Sequence, residues 1–141
     1  MSSSAWLKNA IALAILNGTD LTHLSTVYVA LFTAAPTDAD GSGTEVTGTG
    51  YARVAVACDT SHWTAPSQSG TNQPYTSSNV NTISFGNAGA GGWGTITYFA
   101  LMTAVSSGHI VASGALQASI VANAGVLVEF AAGALVVSVN N

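Results

Sequence analysis

Seven short runs of strand-forming residues, each ended by a cluster of turn residues, limit this chain more than any other feature. They cover Thr26–Thr33, Tyr51–Cys58, Val80–Phe85, Thr95–Thr103, His109–Leu116, Val126–Phe130 and Leu135–Val139. Val, Ile, Thr, Tyr and Phe dominate them, the residues that fit a pleated surface. Two runs alternate: Val27, Val29 and Leu31 against Tyr28, Ala30 and Phe32, and Val54 and Val56 against Ala55 and Ala57. Gly, Asn, Ser or Pro clusters separate the runs, and no helical period lies between them, which excludes a parallel βαβ architecture. The pattern predicts a mainly β fold, an antiparallel β-sandwich or jelly-roll-like domain.

One helix precedes the strands. Residues 4–17 are Ala- and Leu-rich, with Ser4 placed as N-cap and Asn17-Gly18 as the stop. Leu7, Ile11, Ala14 and Ile15 recur at helical spacing and predict one apolar face. So short a helix is not stable alone and must dock, on its own sheet or on a neighbouring subunit. The expected organisation is a docking helix over 1–18 and one β-sandwich domain over 19–141. The apolar stretch Ala5–Leu16 is far below the ~20 residues of a membrane span. It has a weak charged flank and no clear cleavage site, so the expectation is an unprocessed, cytoplasmically made protein. Asn17-Gly18-Thr19 fits a glycosylation sequon but is read as the helix stop.

Charge narrows the partners. Only 6% of the 141 residues are charged, against about 25% in ordinary domains. The cations are Lys8 and Arg53; the acids are Asp20, Asp38, Asp40, Glu45, Asp59 and Glu129. Two cations cannot neutralise a run of phosphates or hold an anionic membrane, so neither nucleic acid nor membrane is an expected partner. Colloidal protection is weak, which suits a subunit held in a large assembly. Cys58 is the sole cysteine, so no internal disulfide forms, and its strand-like context predicts a small buried hydrophobe.

The chemistry-bearing motifs are thin. Gly89-Ala90-Gly91-Gly92-Trp93-Gly94 matches G-x-G-x-x-G, yet a β pattern follows where a dinucleotide site needs a helix. No cofactor is expected. His23, His62 and His109 are scattered without the spacing of a metal motif, and His62 with Asp59 makes only two ligands. Asp38, Asp40 and Glu45 lack EF-hand spacing and read as a solvated acidic loop. No G-x-S-x-G elbow occurs. No catalytic or metal residue is assigned. Two long segments, 34–50 and 59–79, exceed ordinary connections and carry a functional expectation. In the second, Trp63 and Tyr75 either anchor an interface, stack on sugar, or cap the core. Trp6 and Trp93 read as core or docking residues. The candidate interface set is therefore Trp6, Leu7, Ile11, Ile15, Trp63 and Tyr75.

Several segments fall in one order along the chain: LNG at 16–18, TVYVALFTAAPTDADGSGTEVTGTGYARVAV at 26–56, WGTITYFALM at 93–102, GHIVASGALQASIVANAG at 108–125 and EFAAGALVVSV at 129–139. In this order they resemble a family of small phage virion proteins labelled tail-fibre or Gp80-like. The insert at 59–79 is longer and more aromatic than the family pattern. The resemblance implies a virion structural protein without enzymatic activity. Fibre proteins are usually longer and repetitive, and this chain has no internal repeat. The expectation is therefore a capsid decoration (cement) protein bridging capsomers, its partners the major capsid protein and itself as a homotrimer or dimer. A tail-fibre component and a carbohydrate-binding module are the alternatives.

Overall fold

The computed structural model describes residues 2–21, 23–37 and 43–139. Its elements in chain order are β1 (Ser2–Ser3), α1 (Ala5–Leu16), β2 (Thr26–Phe32), β3 (Val54–Ala57), β4 (Tyr75–Ser78), β5 (Ile83–Asn87), β6 (Gly94–Met102), β7 (Ile110–Ala122), β8 (Leu127–Phe130) and β9 (Val136–Val139). The mainly β, antiparallel character and the single N-terminal helix read from the sequence are what the structure has.

One sheet has the order β1-β7-β6-β2-β3, and all its pairings are antiparallel. Two further ladders, β4-β9 and β5-β8, complete the sandwich. Alternation sets the faces: Val27, Val29 and Leu31 of β2, with Ile96, Phe99 and Leu101 of β6, enter the main core. Ile83, Phe85, Val128, Phe130 and Leu135 meet them from the other layer. Aromatic rings stitch the layers. Phe85 and Phe99 each lie edge-on to Phe130, with centroids 6.1 Å apart, and Tyr51 stacks on Phe85.

The opposite face of β2 and β6 is buried too. Ala30, Phe32, Ala100, Met102 and Ile110 form a second cluster, with Tyr28 and Tyr98 packed beside it. The two central strands are thus covered on both sides, which explains why TVYVALF contains no charged residue. Both sheet edges are short, two residues in β1 and four in β3, a common protection against edge-to-edge growth.

Four boundaries depart from the sequence expectation. The second run starts at Val54 rather than Tyr51, because Tyr51 and Arg53 turn into a polar pillar described below. The third run is shifted to Ile83–Asn87. The fifth continues to Ala122, through register shifts opposite Ile96/Tyr98 and Leu101/Met102. The segment 59–79 is not all loop: it contains β4 and the bridges Trp63↔Asn79 and Ser67↔Thr76. In the segment 34–50, Glu45 bridges Phe32 and Val46 is core. Asp38 and Asp40, weighed with Glu45 as calcium ligands, lie outside the described residues.

The glycine-rich stretch 89–94 leads into a strand, β6, and not into a helix. It interlocks with residues 48–50. The Thr49 carbonyl accepts from Gly89 N at 3.0 Å and from Trp93 Nε1 at 2.9 Å. Trp93 is buried in the main core, as its sequence position suggested.

Candidate docking surface

α1 forms as the sequence predicts. Ser4 is its N-cap, with Oγ accepting from Leu7 N at 3.1 Å, and Asn17 N closes the last turn on Leu13 O. Gly18 then takes φ +66°, the left-handed conformation that ends helices. The Ser4 amide donates to Val111 O at 3.1 Å. Val111 is the extra residue where β7 bulges against β6, between the pairs Leu101↔Ala112 and Met102↔Ile110. The bulge thus supplies the acceptor that anchors the helix start. Trp6 stacks on His109 at 6.0 Å, a second tie to the start of β7.

Beyond these ties the helix is loosely seated. None of its twelve described residues is buried. Trp6, Leu7, Ala10 and Leu13 face a groove of about 440 Å³, closed on the far side by Leu21, Leu24, Val27, Cys58 and Val111. Burial lifts the Cys58 thiol above its ordinary range, and the side chain is half-buried, less enclosed than its strand-like context suggested. Of the predicted apolar face, Leu7, Ile11 and Ala14 are half-buried. Ile15 is not: it is 75% exposed, and Leu16 beside it 79%. The apolar surface thus extends beyond the covered residues, and AWLKNAIALAIL is apolar nearly all round.

Trp63 and Tyr75 do not come together. Trp63 pairs with Asn79 and Ser67 with Thr76, which leaves Tyr75 at the far end of β4, about 13 Å along the strand. Trp63 is half-buried against the main core, so core capping is part of its role, while Tyr75 is exposed. Near Trp63, the Asp59 carboxylate pairs with His62 Nδ1 at 2.7 Å. That hydrogen bond, more than the amides of Ser61 and His62, holds its pKa below the usual carboxylate range.

A polar pillar stands at the other side of the sheet. Arg53 grips Glu45 with two bonds, Nε to Oε1 at 2.8 Å and Nη2 to Oε2 at 2.7 Å. Its Nη1 donates to the carbonyls of Ala104 and Ser107, both at 2.7 Å. The Glu45 bond pushes the guanidinium pKa higher still. Tyr51 Oη donates to Glu45 and accepts from Leu31 N, and burial drives its pKa well up. One of the two cations is therefore consumed inside the fold. Among the described residues, no three His, Cys, Asp or Glu side chains gather as a metal cage.

The family model Gp80, described as podophage GP4 fiber I protein gp80, matches residues 2–138. The chain belongs to this family. It is a family of phage virion structural proteins, so the virion is where this chain belongs. The matched range begins before α1 and ends within β9. The family description speaks of a fibre and not of a capsid shell, contrary to the decoration-protein expectation. No curated protein matches the chain.

Sequence reasoning missed two structural centres. One is the Glu45–Arg53 pair; its only signal was that a chain with two cations places one of them beside the Gly/Thr loop. The other is Asn79, buried to 1% exposure with every side-chain polar atom bonded. Asparagine in a Ser/Asn run carries no signal of burial.

Proposed function

We propose that this protein is a non-enzymatic structural subunit of the phage tail-fibre apparatus, held to further copies of itself through α1. The observation that carries this is the state of the helix. It is apolar nearly all round, yet none of its residues is buried and Ile15 and Leu16 stand in solvent. Helices apolar on all sides belong inside protein, and a neighbouring subunit supplies that cover. The family's description supports the fibre over the capsid shell, and on this reading the partners are fibre neighbours and not the major capsid protein. Low charge fits an interface that depends little on salt.

The double substitution Ile15→Ser, Leu16→Ser tests the interface. Both side chains are exposed in the isolated chain, so the fold and its melting temperature stay close to wild type. Association loses about 3 kcal/mol of apolar burial, a weakening of roughly a hundredfold. Light scattering of purified protein should show a discrete multimer for wild type and a monomer for the variant at micromolar concentration. A wild-type protein that is strictly monomeric, or a folded variant with the wild-type mass, removes α1 from the interface.

A further inference from the structure

A second groove, on the other side of Cys58 from the one beneath α1, has the make-up of a ligand site. An open groove of about 310 Å³ lies between the turn after β3 and the outer strand of the β4 ladder. That volume is at the small end of ligand sites. Trp63, Ala65 and Pro66 line it with apolar surface, and Asp59, Thr60 and Thr64 add polar groups. Trp63 is braced from behind by the main core, which fixes its ring. Asp59 is braced too: its Oδ1 accepts from Ser61 N, His62 N and His62 Nδ1 at 2.9, 3.1 and 2.7 Å. Its Oδ2 has no partner among the described residues. A rigid aromatic platform beside a fixed, ionised acceptor matches the two faces of a hexose, C–H on one side and O–H on the other.

We propose that this groove binds a neutral glycan, with Trp63 as the stacking platform and Asp59 Oδ2 as the acceptor for a sugar hydroxyl. Charge selects the class. The groove holds a carboxylate, and one of the chain's two cations, Arg53, is locked onto Glu45. An acidic sugar meets that carboxylate, and no Lys or Arg lines the groove to offset the repulsion. Tyr75, read with Trp63 from the sequence, is not among the residues that line the groove. Cys58 lines both this groove and the one beneath α1, but neither Trp63 nor Asp59 lines the helix groove.

The test is a titration of the purified full chain with glucose, galactose, mannose, N-acetylglucosamine and their disaccharides. Saturation-transfer NMR and calorimetry are the readouts, with N-acetylneuraminic acid as the anionic probe. At least one neutral sugar should bind with a dissociation constant of about 1 mM or tighter, the scale of a single small subsite. Asp59→Asn keeps an acceptor for the turn but replaces Oδ2 by a donor, and should weaken binding about tenfold or more. Trp63→Ala should abolish binding, whereas Tyr75→Ala should bind as wild type does. If Trp63→Ala fails to fold, Asp59→Asn decides alone. Silence of every neutral sugar at about twenty times that concentration overturns the proposal. So does wild-type affinity in Asp59→Asn, or tighter binding of the anionic sugar.

Discussion

Gly92→Ala will cost about 3–5 kcal/mol of stability, while Gly91→Ala, one residue earlier, will cost about 1 kcal/mol. Both glycines have positive φ, +89° for Gly91 and +69° for Gly92, so both substitutions strain the backbone. They differ in space. A Cβ on Gly91 meets nothing within 4 Å. A Cβ on Gly92 would stand 2.6 Å from Ala122 O and 3.1 Å from Asn123 Cα, backbone atoms at the end of β7 and the start of the turn to β8. Gly89→Ala belongs with Gly92→Ala although its φ is ordinary, because its Cβ would lie 2.3 Å from Thr49 O. That carbonyl also accepts from Trp93 Nε1, so a shift of the 48–50 turn unseats a core tryptophan. Thermal melts check this. Gly92→Ala and Gly89→Ala should each lower Tm by about 10 °C or more. A Gly89→Ala protein that melts like Gly91→Ala would show that the 48–50 and 89–94 segments are not locked together.

Asn79→Ala will destabilise the fold by about 3–4 kcal/mol, more than its small volume accounts for. The side chain makes three bonds at once. Nδ2 donates to Asn81 O at 2.8 Å and Ala131 O at 2.9 Å, and Oδ1 accepts from Leu135 N at 2.9 Å. Main-chain bonds from Asn79 N to Leu135 O and from Gly133 N to Asn79 O complete the joint between β4 and the turn before β9. Alanine leaves the buried Leu135 amide without its acceptor and takes the donor from the carbonyls of Asn81 and Ala131. Asn79→Asp separates hydrogen bonding from packing. It is nearly isosteric, but its carboxylate faces two carbonyl oxygens. Its destabilisation should therefore equal or exceed that of alanine at neutral pH. It should ease near pH 4 and below, where the carboxyl is protonated and regains one donor. Urea unfolding at pH 4 and pH 7 provides the measurement. An Asn79→Asp protein as stable as wild type at pH 7 contradicts this account of the joint.

The contrast between α1 and β4 shows what a sequence of this kind reveals. α1 carries its boundaries in its own residues: a serine cap, an alanine-rich body and an Asn-Gly stop, all local effects. β2 and β6 are equally plain, because central strands covered on both faces need long apolar runs. β4 reads Tyr-Thr-Ser-Ser and has no apolar face to display. It is a strand only because β9 and the 63–67 segment lie beside it, and no local window contains that fact. The candidate interface set divides in the same way. Leu7, Ile11 and Ile15 were found by their spacing, but how far each is covered depends on how the helix seats against β7 and the 19–27 segment, which no local window contains. Trp63 and Tyr75 are twelve residues apart in one loop-like segment, and the bridge Ser67↔Thr76 is what holds them apart. The Glu45–Arg53 pair is invisible for a related reason: the geometry that joins it comes from the 103–109 turn, fifty residues away.

The central claim, a structural subunit of the tail fibre, is tested most directly by locating the protein on the intact particle. Gold-labelled antibody against the purified chain, viewed on whole virions and on separated heads and tails, gives the answer in one experiment. Label on the fibres and in the tail fraction, with bare capsids, is the predicted result. Label spread over the capsid shell and retained by tail-less heads would contradict it and restore the decoration-protein role.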